Sequence, residues 1–208
     1  MRRFVFALSI ASLAFAGWAS FSPAQDADGC IPLFNGKDLT GWKTHPDEPG
    51  MWSVVDGCIV GKGANRSHLF SDKGDFTDFH YKVVAKISDK GNSGQYFRTK
   101  YMGGYPTGYE AQINSTFPDP QKTGSLYGFA KIGEKLVEPD TWFTQEVIAK
   151  GNHIQILLNG KKVVDYVDAK NTHSKGHFAF QQHSPAANSP PSMVTVKSAE
   201  VKMLSATK

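Results

Sequence analysis

Apolar and polar residues alternate in short runs along most of the chain beyond residue 50. A period of two sends successive side chains to opposite faces of an extended segment, so each run predicts a β-strand. Candidate strands fall at 51–55, 57–61, 67–71, 78–88, 94–99, 108–114, 126–130, 142–150, 153–159, 161–167, 177–183 and 193–203. Asn159-Gly160 and Asp56-Gly57 supply residue pairs that tolerate positive φ in a tight hairpin. No stretch carries a capped helical stripe, and 71–77 is expected to form at most one short turn. Many short strands bounded by turn residues argue an all-β fold, a sandwich or jelly roll. Two proline-bearing connections, 115–125 and 184–192, are loops of a length that often carries function.

The same alternation sorts the polar residues by face. In GYEAQIN (108–114), Tyr109, Ala111 and Ile113 point one way, and Glu110, Gln112 and Asn114 the other. In 177–183, Phe178 and Phe180 mark their side as core, leaving His177, Ala179, Gln181 and His183 opposite. In 94–99, Tyr96 and Arg98 share a side. If these strands belong to one sheet, Glu110, Gln112, Gln181 and His183 line a common surface that Arg98 can join. An acid, an imidazole, a guanidinium and two amides suit a surface that holds and protonates a polyhydroxylated ligand. Each residue also has a blander reading: Glu110 a solvated strand residue, His183 plain surface, Arg98 a structural ion pair. Both readings stay open on alternation alone.

Composition narrows the setting. Met1-Arg2-Arg3 followed by FVFALSIASLAFAGWA and the small residues near Ala24 reads as a signal peptide cleaved after about Ala24, hence export to the periplasm or beyond. Residues 25–208 then form one domain, long enough for a sizeable core. Losing the two leader arginines lowers the net charge of +4 to about +2. No basic cluster interleaves with aromatics, so nucleic acid is not an expected partner. No second apolar run reaches membrane-spanning length. Cys30 and Cys58 fit either a disulfide in an oxidising compartment or two separate thiols. His173 and His177 lie four apart, but that spacing joins two ligands only on a helix, and no metal site is expected. Nucleophile-elbow, phosphate-loop and dinucleotide motifs are absent.

Seven segments occur in an ordered set: LFNGKDLTGW (33–42), WSVVDGCIVGKG (52–63), NSGQYFR (92–98), YEAQI (109–113), GSLYG (124–128), LNGKKVVDY (158–166) and GHFAFQQH (176–183). Together they resemble the 3-keto-disaccharide hydrolase domain family, secreted bacterial proteins with a concanavalin-like jelly-roll β-sandwich of two antiparallel sheets. The resemblance implies a small-molecule sugar ligand: a glycoside already oxidised to a ketone at sugar carbon 3. Ordinary glycosidases flank the scissile bond with two carboxylates, whereas the run EAQINS offers one. A 3-keto group acidifies the hydrogen on carbon 2, so one base can start an elimination that expels the aglycone before water adds.

On that reading Glu110 and His183 are the acid and base, in an order left open, and Arg98 stabilises the enolate oxygen. Gln112 and Gln181 orient sugar hydroxyls, Tyr109 or Tyr127 offers a stacking surface, and no cofactor is required. A divalent cation polarising the ketone stays open, with no readable ligand set. The chain departs from the family pattern at Asn114, where an aspartate is usual, at Phe143 in place of an asparagine, and at Lys197 in place of an arginine. Lys197 is counted with the substrate-binding residues, although a lysine lacks the bidentate fork. The alternative is a non-catalytic, lectin-like carbohydrate-binding module of the cell envelope. Oligomeric state, aglycone and linkage are not legible.

Overall fold

A computed structural model describes residues 29–205, so the leader and its cleavage point lie outside the described residues. The chain forms β1 (Ile31–Pro32), β2 (Trp42–Thr44), β3 (Trp52–Val55), β4 (Cys58–Gly63), β5 (Ser67–Ser71), β6 (Phe79–Ile87) and β7 (Ser93–Thr99). It continues through β8 (Tyr109–Ile113), β9 (Phe143–Lys150), β10 (His153–Leu158), β11 (Lys161–Val167), β12 (His177–Gln182) and β13 (Ser192–Met203). No helix occurs among the described residues. All pairings are antiparallel, and they build two sheets. One runs β11-β10-β9-β6-β13-β4-β3 with β1 added beside β13, and the other runs β2-β5-β12-β7-β8. The sheets pack face to face as a β-sandwich.

The two sheets use alternation differently. In β6, fully buried residues alternate with half-exposed ones, as in a strand with one face on a core and one toward water. Phe79, Tyr81, Val83, Ala85 and Ile87 face inward there. They meet Phe178 from the opposite sheet, whose ring lies 4.1 Å from Tyr81 and 4.8 Å from Phe79. Each such fully buried side chain contributes roughly 1.5–3 kcal/mol by removal from water. By contrast β5, β7 and β8 are buried at every residue, and β12 at every residue after His177. The five-stranded sheet is therefore covered on both faces. Its inner face is the apolar core, and its outer face carries polar side chains.

Several local expectations differ from the fold. Residues 126–130 form a tight turn instead of a strand: Leu126 bridges Ala111 and Ala130, and the Phe129 and Ala130 amides both donate to Leu126 O. This segment caps the outer edge of β8, where Tyr127 N donates to Glu110 O and Gln112 N to Ser125 O. The 71–77 stretch makes no helical turn, and Phe76 bridges Gly176. The short strands β1 and β2 carry too few residues for a periodicity to register. Cys58 is a thiol not bridged to Cys30, and its Sγ donates to Asp56 O at 3.7 Å.

Candidate functional site

Strand register lays the outer face of the five-stranded sheet out in rows. Phe70, Ala179, Tyr96 and Glu110 are successive cross-strand partners on β5, β12, β7 and β8. The next row along holds His68 opposite Gln181 and Gly94 opposite Gln112. Ser67 and Gln182 are the last pair of β5 and β12, and Arg66 and His183 lie just beyond these strand ends at the rim. The sequence therefore delivers Glu110, Gln112, Gln181 and His183 to one face of one sheet.

Gly94 decides where the carboxyl goes. A Cβ on Gly94 would sit 2.1 Å from Glu110 Oε1, so Glu110 lies across β7 in space that only glycine leaves open. Strand spacing and rise then put the carboxyl roughly 8 Å from the Cα of His183. Tyr96 hydrogen bonds Glu110. Gln181 Nε2 donates to Tyr96 Oη at 3.0 Å and to His68 Nε2 at 3.2 Å. Both amide hydrogens are thereby used, which leaves the single Tyr96 hydrogen for the Glu110 carboxyl. Burial pushes Glu110 up to about 8, against the Tyr96 bond that pulls it down, and the charge of Asp119 adds to the rise. At neutral pH the carboxyl keeps its proton. His68, 1% exposed, is held down to about 4 by burial and stays neutral, as its acceptor role requires.

Around this floor stands a mixed rim. His183 is half-buried; its Nδ1 lies 2.6 Å from Ser184 O. A carbonyl only accepts, so Nδ1 carries the hydrogen and Nε2 keeps its lone pair. Tyr105 Oη is 3.5 Å from that Nε2, and the Phe117 ring packs edge-on at 5.2 Å. Arg66 pairs with Glu48 at 2.5 Å and stacks over Tyr105 at 4.3 Å. Tyr127 is exposed on the far side, with its hydroxyl donating to Asp119 at 2.9 Å. A cavity of about 490 Å³ opens between Glu48, Arg66, Gln182 and Ser184, and neither His183 nor Glu110 lines it.

Three expected site residues lie elsewhere. Arg98 is 1% exposed and turned away from Glu110. His177 pairs with Thr99 and Ala179 with Tyr96, so Phe97 and Arg98 together oppose Phe178 in a β-bulge. Arg98, at φ +49°, is thrown off the face that alternation assigns it. Its guanidinium donates to Thr77 O, Gly151 O, His173 O and Asp78, a structural clamp. Tyr109 is fully buried against Phe97, its hydroxyl donating to Asp168 at 2.6 Å, and offers no stacking surface. Lys197 is the exposed bulge residue of β13 in the other sheet. Gln181 has its amide hydrogens committed inside the face, and Gln112 is 1% exposed. Phe143 is core, and Asn114 donates to Asp119 O and Gln121 O, bracing the 115–125 loop.

Sequence reasoning missed Tyr96, Gly94, His68 and Arg66. Tyr96 and His68 were detectable: each alternates onto the polar face of its own strand. Gly94 and Arg66 acquire meaning only through the neighbouring strand. Among the described residues no three His, Cys, Asp or Glu side chains converge as a metal-ion cluster.

Comparison with known proteins adds ancestry to this geometry. A 3-keto-disaccharide hydrolase of Bacteroides thetaiotaomicron is 34% identical over 95 residues, spanning 41% of this chain and 33% of that protein. The chain thus matches only a third of that relative's length. A putative glycosyl hydrolase from Parabacteroides distasonis superposes with a TM-score of 0.71 at 27% identity, covering 86% of this chain and 95% of the other. The carbohydrate-binding module CBM66 from Bacillus subtilis shares the fold, with a TM-score of 0.58, 19% identity, and 77% and 94% of the two chains covered. Residues 29–202 match the 3-keto-alpha-glucoside-1,2-lyase-like domain, and the chain belongs to that family.

Proposed function

We propose that the chain is a glycoside hydrolase-type enzyme that cleaves 3-keto-glycosides on the outer face of the five-stranded sheet. The family match and the hydrolase relatives support the reaction class. One observation carries the site: a single carboxyl, kept protonated by burial, shares a polar face with an imidazole whose acceptor nitrogen, Nε2, meets only the Tyr105 hydroxyl at 3.5 Å. That pairing orders the two roles. Glu110 is the acid and His183 the base.

In the first step His183 Nε2 takes the proton from carbon 2, and the C2–H electrons form the enolate of the carbon 3 ketone. When the ketone re-forms, the electrons pass into a C1–C2 double bond and the C1–O bond breaks. The departing oxygen takes the Glu110 proton. Water then adds in the reverse sense: Glu110 recovers a proton from it as the hydroxyl joins carbon 1, and His183, its proton meanwhile exchanged with solvent, protonates carbon 2. The sum is hydrolysis with both residues restored. Tyr96 and Gln181 position the carboxyl. The leader-like residues 1–24 support export.

A lectin-like reading draws on the exposed Tyr105 and Tyr127, since aromatic faces bind ordinary sugars without chemistry. Hydrolysis in deuterated water separates the two. Elimination and hydration place one solvent deuterium at carbon 2 within each turnover, above the exchange seen when the 3-keto product is incubated with His183→Ala. Saturable binding of an unoxidised disaccharide, with no cleavage of its 3-keto form, contradicts the enzyme reading.

A further inference from the structure

We infer that His68 is a positioning residue: its acceptor nitrogen sets the direction of the hydrogen-bond chain beneath Glu110 and so leaves the Glu110 proton free for the leaving group. This role rests on the elimination reading above, which needs that proton delivered into the site. The chain crosses four strands. His68 on β5 opposes Gln181 on β12, and Tyr96 on β7 opposes Glu110 on β8. Gln181 joins the two pairs, its Nε2 lying 3.2 Å from His68 Nε2 and 3.0 Å from Tyr96 Oη.

The run of hydrogens is decided at the His68 end. An amide nitrogen only donates, so His68 Nε2 offers its lone pair and the ring hydrogen sits on Nδ1. That acceptor holds Gln181 with its nitrogen, and not its oxygen, toward Tyr96. Tyr96 Oη accepts from Gln181, and its one hydrogen passes to Glu110. A single contact holds a single hydrogen, so the carboxyl's own proton points away from Tyr96. With the amide turned over, Gln181 Oε1 would take the Tyr96 hydrogen, and Glu110 would spend its proton on Tyr96. The imidazole is suited to be the fixed end. Burial holds it down to about 4; Glu48 opposes that shift while Arg66 and His183 add to it, so Nε2 stays an acceptor at neutral pH. The Tyr96 ring meets it edge-on at 5.2 Å and the Phe70 ring lies 5.9 Å away, which fixes its plane. His68 Nδ1 is buried with no partner. A leucine would exchange that orphan for one unpaired Gln181 N–H, so the count of satisfied groups does not account for the imidazole. The direction it imposes does.

The test titrates the Glu110 carboxyl by carbon-13 NMR and reads the His68 tautomer by nitrogen-15 NMR, alongside turnover of 3-keto-trehalose. Wild type is expected to titrate at about 8, with the His68 hydrogen on Nδ1. His68→Leu frees the amide to turn over, and Tyr96 then ceases to donate to the ionised carboxyl. The Glu110 titration is expected to move upward by about half a pH unit or more. Turnover at neutral pH is expected to fall about tenfold as the acid proton is diverted. His68→Gln, whose side-chain oxygen accepts in the place of Nε2, is expected to restore both toward wild type. The shift in His68→Leu and its reversal in His68→Gln, without turnover by wild type, would uphold the chain's direction and remove the elimination reading. Wild-type turnover with an unmoved Glu110 titration in His68→Leu would overturn the positioning role alone. A hydrogen on His68 Nε2 in wild type overturns it as well, a measurement that stands even if His68→Leu fails to fold.

Discussion

Glu110 owes its chemistry to position. A carboxyl on a solvated strand titrates near its ordinary value, but this one lies over Gly94, 8% exposed, and titrates near 8. With Glu110 as the proposed acid, activity is expected to fall as pH rises through about 8, read from a pH–rate profile. The Tyr96 hydroxyl favours the ionised form, so Tyr96→Phe is expected to move that alkaline limb upward. Stability follows the same titration. Between the unfolded value of 4.5 and about 8, the native state keeps a proton that the unfolded chain has lost. Wild-type stability therefore declines across that window, by an order of a few kcal/mol. Glu110→Gln is expected to melt near wild type at pH 4 and above it at pH 8, a comparison calorimetry makes directly. Gly94→Ala is expected to displace the carboxyl and cut turnover at least about tenfold, because a 1 Å misplacement of a reacting group is costly.

A bulge in β7 separates what was legible among the elements from what was not. Strict alternation gives β6, β8 and β12 correctly and sorts Glu110 from Tyr109 as the structure does. It fails at Arg98 because one extra residue in β7 shifts the pairing with β12, and no local composition announces that insertion. Tyr109 is misread for a related reason: its hydroxyl finds Asp168 at the core's edge, a partner 59 positions away. Arg98→Met is accordingly expected to act on folding, destabilising by about 3–5 kcal/mol through the uncompensated Asp78 charge. Its kcat, measured where the variant remains folded, is expected to stay within about threefold of wild type; a hundredfold loss with an intact melt would return Arg98 to the site. The 126–130 segment shows the converse. Its apolar residues read as a strand, and they instead fold into a turn that closes the edge of β8.

At the scale of the molecule, the sandwich solves two burial problems with one sheet. Its inner face packs Phe178, Phe180 and Phe97 into the core, while its outer face buries Glu110, Gln181 and His68 under loops. Burying polar groups without partners costs roughly 1–3 kcal/mol each; the amide–tyrosine–carboxyl chain supplies partners for Gln181 and Glu110, while His68 Nδ1 has none among the described residues. Alternation in the sequence sorted Glu110, Gln112 and Gln181 onto one face but wrongly added Arg98. It could not show how the loops at 45–50 and 100–108 bring Glu48, Arg66 and Tyr105 to the rim, since those contacts span 18 to 56 residues. The central claim is that one acid and one base on this face cleave only a ketone-bearing substrate. Turnover of 3-keto-trehalose and trehalose by wild type, Glu110→Gln and His183→Ala tests it most directly. The account predicts that wild type cleaves the 3-keto sugar alone and that each folded variant loses at least about a hundredfold. Near-wild-type rates in either variant, or equal cleavage of unoxidised trehalose, would contradict it.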